Sequence, residues 1–80
     1  MQVQVQYFGV LKGIVGHREE AIAVEGSDVQ ALLDAVVATR PELATALRGV
    51  AVAVNDVLVG KSATVPAGAT VALLPPVSGG

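Results

Sequence analysis

One apolar stripe at helical spacing constrains the fold more than any other feature of this 80-residue chain. Its members fall at positions i, i+3, i+4, i+7 and i+8, and they are Val29, Leu32, Leu33, Val36 and Val37. This spacing predicts one amphipathic helix over residues 28–38, with Ser27 as its N-cap and Gln30 completing a capping box. Because such a stripe must be buried against a second layer, the rest of the chain has to supply that layer.

Alternating apolar residues before the helix predict that the second layer is a β-sheet. Valines and glutamines alternate in a predicted strand over residues 2–8, and a second strand is expected over residues 20–25. The segment between them, residues 9–16, is expected to be a loop because three glycines interrupt it. These two strands therefore predict a hairpin with a loose connection.

The second half of the chain repeats the strand pattern. Pro41 can begin a short second helix over residues 41–47, and Asn55-Asp56 suits a tight turn. We expect strands over residues 50–54, 57–59 and 70–74. A helix that crosses one face of the sheet lets the last strand lie parallel to the first. The predicted fold is thus an α+β roll of the β-grasp type, with a mixed sheet of four to five strands packed on one main helix.

Composition argues against several classes of function. The chain has no cysteine, which excludes disulfides, thiolate nucleophiles and Cys-ligated metals. Its single histidine, His17, lies in a Gly- and charge-rich stretch and is expected to be a solvated loop residue, so we expect no metal site and no complete active site. Five scattered Lys and Arg argue against nucleic-acid binding. No apolar run is long enough to span a membrane and no signal peptide is visible, so we expect a cytoplasmic location.

Strand alternation places three large apolar side chains on the sheet face away from the helix: Phe8, Leu58 and Leu74. The other outward residues are polar or small, namely Gln2, Gln4, Gln6, Ala51, Ala53 and Ala72. We interpret the three apolar residues as a partner-binding patch. The alternative is that they are ordinary single exposures, since isolated apolar side chains are common on surfaces and a register error of one residue would reverse each assignment.

The last six residues form a segment distinct from the predicted domain, residues 1–74. They are Pro75, Pro76, Val77, Ser78, Gly79 and Gly80. The two prolines favour an extended backbone, and six residues could project a free terminal carboxylate roughly 20 Å from the domain. The two glycines carry no side chains, so this flexible tail could enter a narrow site in another protein. The alternative is a frayed chain end without function.

This tail, after the strand over residues 70–74, resembles that of the small subunit of molybdopterin synthase, the MoaD family. The segments Tyr7-Phe8-Gly9 and Val52-Ala53-Val54-Asn55 add to the resemblance, which covers essentially the whole chain. It implies a ubiquitin-like sulfur carrier. An adenylyltransferase similar to ubiquitin activators, of the MoeB type, would use ATP to adenylate Gly80, and a sulfur donor would convert it to a thiocarboxylate.

The resemblance also implies partners. A large synthase subunit of the MoaE type, in a heterotetramer, would hold the active site and pass the sulfur to cyclic pyranopterin monophosphate in molybdenum cofactor biosynthesis. The small subunit would be a non-catalytic sulfur donor without a bound cofactor. Phe8, Leu58 and Leu74 match interface positions of the family, and Lys12 matches a position usually held by Arg. The chain departs from the family at Gly9, where alanine is more common.

Three alternative functions stay open at this point. Ubiquitin-like sulfur carriers of thiamin or cysteine biosynthesis share the fold and the diglycine, although the segment Pro75-Pro76-Val77-Ser78 favours the molybdopterin branch. A protein modifier would use Gly80 to form an isopeptide bond with lysines. A plain interaction module would have an inert tail.

Overall fold

Five strands, two α-helices and a short 3₁₀ helix make up residues 1–76, the part of the chain that the computed structural model describes. In chain order they are β1 (Gln2–Tyr7), α1 (Val10–Val15), β2 (Glu19–Ala23), α2 (Val29–Thr39), the 3₁₀ helix (Pro41–Leu43), β3 (Ala51–Val54), β4 (Val57–Val59) and β5 (Thr70–Leu74). Within these residues, none of the helices has the length and apolar character needed to cross a membrane.

The five strands form one mixed sheet in the order β2-β1-β5-β3-β4. β1 and β5 are parallel, with Gln4 opposite Thr70, and every other pair is antiparallel. The strand that comes last in the chain therefore lies in the centre of the sheet, between β1 and β3. This arrangement confirms the predicted β-grasp roll and the parallel pairing of its first and last strands.

The apolar stripe of α2 covers one face of this sheet, as predicted. Val29, Leu32 and Val36 are completely buried. The buried side chains that face them from the strands are Val3, Val5, Tyr7, Ile22, Val52, Val54, Val71 and Leu73. Because burial of each such side chain is favourable by about 1.5–3 kcal/mol, this layer of contacts is the main source of stability.

The N-terminus of α2 differs from the prediction by one residue. Asp28, and not Ser27, is the N-cap, and its carboxylate accepts a hydrogen bond of 2.8 Å from the Ala31 N–H. The predicted capping box is wrong because Gln30 lies two residues after this N-cap and not three. The Ala63 and Lys61 carbonyl groups accept hydrogen bonds from the first two N–H groups of the helix. The Gln30 amide instead donates to a carboxylate one turn further along α2.

The segment predicted as a loop, residues 9–16, contains the helix α1. Leu11 and Val15 lie four residues apart, on one side of this helix, and both are buried in the core. Burial of this pair outweighs the cost of about 1 kcal/mol that Gly13 adds in the helix interior. The glycines therefore gave the wrong prediction because tertiary packing, and not local propensity, decides the conformation here.

The predicted second helix is shorter than expected. The 3₁₀ helix ends at Leu43 and turns follow, although Leu43 and Leu47 are both buried, as a helix over residues 41–47 would have placed them. The predicted turn at Asn55-Asp56 is confirmed, with both residues at positive φ. The Asn55 side chain accepts a hydrogen bond of 3.0 Å from the Thr70 N–H, which joins this turn to the start of β5.

A polar cluster joins the end of α2 to the sheet. The Tyr7 hydroxyl donates to Glu20 at 2.6 Å, and Arg40 donates two hydrogen bonds to the same carboxylate, at 2.8 and 3.0 Å. The hydrogen bonds from Arg40 lower the pKa of Glu20. The pKa of Tyr7 is raised, mainly by burial and to a smaller extent by the hydrogen bond to Glu20.

The lowered pKa of Glu20 predicts an acid-dependent loss of stability. Above the usual glutamate pKa of about 4.3, Glu20 is ionised in both states, and Arg40 stabilises only the folded one. As the pH falls below that value, the unfolded chain binds a proton more readily than the folded chain, so the free energy of unfolding decreases. Arg40→Gln should weaken this decrease, measured by urea unfolding between about pH 6 and pH 3.

Arg48→Gln is the matched control for this experiment, because Arg48 is an exposed arginine outside the cluster. We expect the control to keep the pH dependence of the unmodified protein. If the free energy of unfolding of the Arg40→Gln variant depends on pH as that of the unmodified protein does, the acid-dependent stabilisation does not come from Glu20.

Candidate functional site

The predicted tail leaves the domain from the central strand of the sheet. β5 ends at Leu74, Pro75 is half-buried, and Pro76 is exposed. The other predicted tail residues, Val77, Ser78, Gly79 and Gly80, lie outside the described residues. The structure thus describes the root of the tail and its surroundings.

Two glycines flank this root, one from each neighbouring strand. Gly9 lies just beyond β1, and a Cβ atom added to it would lie 3.1 Å from Pro75 Cγ. Gly49 lies just before β3, and a Cβ atom there would lie 3.9 Å from Pro76 Cγ. Both glycines have positive φ, of 55° and 73°. We call Gly9, Gly49, Pro75 and Pro76 the tail-root notch.

The three predicted patch residues lie on the open face of the sheet, away from α2. Leu58 is 68% exposed and Phe8 is 44% exposed, whereas Leu74 is half-buried. Leu58 lies opposite Ala53, which in turn lies opposite Ala72, so these side chains share that face. We call Phe8, Leu58 and Leu74 the open-face patch. Its predicted outward orientation is confirmed, and its role in partner binding stays a prediction.

Two members of the open-face patch lie next to the start of the tail, and the third lies two strands away. Tyr7 lies opposite Leu73, so Phe8 and Leu74 are the next residues along two neighbouring strands. Leu58 is two strands and two residues away from Leu74, a separation of about 12 Å. Small side chains fill the space between them, and Ala53 is buried there although it was predicted to be exposed on this face. The patch therefore extends from the residue before Pro75 across β3 to β4.

Polar side chains border this area near Phe8. A surface depression of about 240 Å³ is lined by Gln6, Tyr7, Phe8, Arg18 and Glu19. An apolar centre with a charged and polar border is the usual composition of a protein–protein interface.

The helix α1 adds two exposed apolar residues that the sequence prediction missed. Val10 and Ile14 lie four residues apart on its outer side and are 59% and 39% exposed. Their spacing of four residues would have indicated a shared helix face, but residues 9–16 were predicted to be a loop, in which this spacing does not define a face. Lys12 is exposed on the same helix. Because Val10 directly follows Gly9, this surface lies beside the tail-root notch.

Besides the open-face patch and the tail root, the described residues show one group of perturbed ionisable side chains. The clearly shifted pKa values among residues 1–76 belong to the Tyr7–Glu20–Arg40 cluster, whose members bond to one another. His17 is exposed. Within the same part of the chain, no group of three potential metal ligands is close enough to hold a metal ion.

Together, the fold and this surface define a class of protein: a ubiquitin-like β-grasp domain that carries a C-terminal segment beside an apolar patch. Comparison with protein families matches residues 5–80 to the ThiS family. The chain therefore belongs to the ThiS family, whose ubiquitin-like sulfur carriers include MoaD-like proteins.

Solved structures agree with this assignment. The small archaeal modifier protein 1 from Haloferax volcanii is 28% identical, with a TM-score of 0.88 and coverage of 100% of both chains. A chain in the complex of subunits 1 and 2 of the molybdopterin-converting factor from Helicobacter pylori 26695 is 31% identical, with a TM-score of 0.69 and coverage of 100% of both chains.

A third structure is also a complex. A chain of the BexX/CysO complex from Amycolatopsis orientalis is 28% identical, with a TM-score of 0.75, and the match covers 98% of this chain and 99% of that one. No curated protein sequence matches the chain.

Proposed function

We propose that this protein is the sulfur carrier subunit of a molybdopterin synthase. The observation that carries the proposal is its full-length similarity, at 31% identity, to a chain in the complex of two molybdopterin-converting factor subunits. The tail supports it, because Pro75 and Pro76 directly follow the central strand β5. In this proposal residues 1–74 are the domain, residues 75–80 are the presented tail, and the protein acts in the cytoplasm.

The chemistry would take place at the carboxylate of Gly80. A carboxylate is a poor acyl donor, so an adenylyltransferase of the MoeB type would join it to AMP from ATP and release pyrophosphate. A sulfur donor would then displace AMP and leave a thiocarboxylate. This group presents a nucleophilic sulfur atom in a chain that has no cysteine. Pro75 and Pro76 would give the tail its extension, and Val77, Ser78 and Gly79 its narrow width.

The open-face patch and Lys12 would bind the large subunit. Phe8 and Leu58 would be covered by an apolar surface of a MoaE-type partner, and Leu74 would lie at the edge where the tail enters that partner's active site. There the sulfur would be transferred to cyclic pyranopterin monophosphate. The carrier itself would supply the sulfur and the docking surface, and the active site would belong to the large subunit.

Intact-mass spectrometry tests this proposal directly. The protein is incubated with ATP, a MoeB-type activating enzyme and a sulfur source. We expect a mass gain equal to the exchange of one oxygen for one sulfur, located at Gly80. The absence of a gain, with an activating enzyme that modifies another carrier in the same experiment, would contradict the proposal.

A second candidate function, protein modification, is favoured by the similarity to the small archaeal modifier protein 1. A protein modifier would form isopeptide bonds between Gly80 and lysines of other proteins, and these would appear as bands of higher mass. A carrier for thiamin or cysteine biosynthesis would gain sulfur but would not convert cyclic pyranopterin monophosphate with a MoaE-type subunit. An inert-tail module would do neither.

A further inference from the structure

We propose that the outer edge of β4 binds a second copy of this chain, so that two β4 strands pair antiparallel about a two-fold axis at Leu58. β4 is one of the two edge strands of the sheet, and among residues 1–76 it pairs with β3 alone. The new pairing joins two five-stranded sheets into one continuous sheet. The dimer does not depend on the proposed function, whereas its competition with a large subunit does.

The backbone of Leu58 offers free hydrogen-bonding groups at this edge. The Asn55 N–H donates to the Thr70 carbonyl at 2.8 Å, so it points toward β5. Successive residues of a strand point their N–H and C=O groups to opposite sides, so those of Val54 point toward β4, and those of Val57, which lies opposite, point back. The N–H and C=O groups of Leu58 therefore point outward, and two copies can exchange a pair of hydrogen bonds at this residue.

The side chains on both faces of this edge are apolar and exposed. Leu58 is 68% exposed on the open face of the sheet, and Val57 is 61% exposed on the opposite face. In the antiparallel pair, Leu58 lies opposite Leu58 of the second copy, and Val57 lies opposite Val59 of the second copy. Each copy therefore covers apolar surface on both faces of the other, and cross-strand apolar pairs of this kind are favourable.

The charges that flank β4 are complementary under the same symmetry. Asp56 directly precedes the strand, Lys61 follows its last residue by two positions, and both are exposed. When the strands run antiparallel about Leu58, Asp56 lies opposite Gly60 of the second copy and next to its Lys61. The two-fold axis generates this ion pair twice. A parallel pairing would instead place like charges side by side, so the charges favour the antiparallel dimer.

The other edge strand, β2, lacks this combination. The Val24 N–H donates to the Met1 carbonyl, so the backbone groups of Val24 point toward β1. By alternation, the residues whose backbone groups point outward from β2 are Glu19, Ala21 and Ala23. Two alanines offer little apolar surface, and a charged side chain on an edge strand opposes pairing with another chain. The edge of β4 is therefore the better docking surface for a second copy.

The contact is small, so we expect a weak and reversible dimer. Stable complexes bury at least about 1,200 Å² in total, which three residues from each copy do not reach. We expect a Kd of roughly 0.1–1 mM, and the carrier is then a monomer at low micromolar concentrations. Because the dimer covers Leu58, a large subunit that binds the open-face patch has to bind the monomer.

NMR and sedimentation equilibrium test the pairing without any other protein. From concentrations well below this Kd to concentrations well above it, the signals of residues 56–61 should shift, and the sedimenting species should change from monomer to dimer. Exchange of the Leu58 amide hydrogen with solvent should slow as the dimer forms. The Ala21 amide, which points outward from β2, should exchange at the same rate throughout. A monomer at every concentration, or an unprotected Leu58 amide in the dimer, overturns the proposal.

Two charge reversals test the symmetry of the dimer. Asp56→Lys and Lys61→Glu each place like charges next to each other at both ends of the strand pair, so each variant alone should dimerise at least about fivefold more weakly. In an equimolar mixture, the new base of one variant meets the new acid of the other. The mixture should therefore regain a Kd within about twofold of that of the unmodified protein.

Arg18→Glu is the matched control for these variants. It changes the net charge as Lys61→Glu does, but Arg18 is an exposed residue that precedes β2, at the opposite edge of the sheet. This control should dimerise as the unmodified protein does. If the mixture of the two variants stays as weakly paired as each variant alone, or if Arg18→Glu weakens the dimer equally, the antiparallel pairing at β4 is wrong.

Titration with a MoaE-type large subunit tests the competition. At carrier concentrations above the dimer Kd, the apparent affinity for the large subunit should fall for the unmodified protein and should not fall for Lys61→Glu. Equal behaviour of the two proteins overturns the competition. If the large subunit binds neither protein, the proposed function fails, and the NMR and mixing experiments still decide on the dimer.

Discussion

Deletion of Gly80 is expected to abolish sulfur loading, with a loss of at least about 100-fold in rate. The truncated chain still ends in a glycine carboxylate, that of Gly79, but this group lies about 3.3 Å short of the position to which the full tail delivers it. Because adenylation requires the carboxylate to reach a fixed phosphate, a displacement of this size removes the reacting geometry. The measurement is intact mass after incubation with ATP, the activating enzyme and the sulfur source.

Two comparisons make this deletion informative. Ser78→Ala keeps the length of the tail and both glycines, so it should be loaded as the unmodified protein is. The free energy of unfolding should be unchanged in both variants, because the buried core residues all lie between Val3 and Leu73. Retained sulfur loading in the truncated chain would rule out the proposed role of Gly80.

Leu58→Ala is expected to weaken binding to a MoaE-type large subunit by more than about 1 kcal/mol, which is roughly fivefold or more in Kd. Leu58 projects from β4 on the open face, where a partner would bury its side chain completely. Because the residue is mostly exposed in the carrier alone, its truncation should cost little stability. Phe8→Ala should act in the same direction, and isothermal titration of the two subunits measures both.

Val57→Ala is the matched control for the open-face patch. Val57 precedes Leu58 on the same strand and is 61% exposed, but its partner across the ladder is Val54, so it lies on the opposite face of the sheet. Its truncation should leave the affinity unchanged. If Leu58→Ala and Phe8→Ala bind as tightly as this control, the patch is not the docking surface, and the chemistry proposed for the tail is unaffected.

The sequence was sufficient for the elements whose periodicity is unbroken. The stripe from Val29 to Val37 and the alternation around Val3 and Val5 each specify a buried face, and the structure buries both. The helix α1 could not be predicted in the same way, since Leu11 and Val15 stabilise it only through contacts with the rest of the core. Those contacts cannot be inferred from the glycine-rich sequence of residues 9–16.

The candidate site likewise has one part that local periodicity predicts and one part that depends on tertiary contacts. The outward orientation of Phe8, Leu58 and Leu74 follows from counting alternate residues, so it could be predicted. The contact between Gly9 and Pro75 joins residues that are far apart in the sequence, and it depends on the register of β1 against β5. Composition and spacing do not determine that register, which is why the tail-root notch became visible only in the structure.

The central position of β5 determines how the domain would respond to tension on its C-terminal segment. Tension applied at the tail runs along β5, which is hydrogen-bonded to β1 on one side and to β3 on the other. Such a load shears two ladders at once, so many hydrogen bonds must break together before the strand can slip. A terminal strand at the edge of the sheet could be peeled away one bond at a time. If partners pull on the tail as proposed, this central position would make the domain resistant to unfolding from that end.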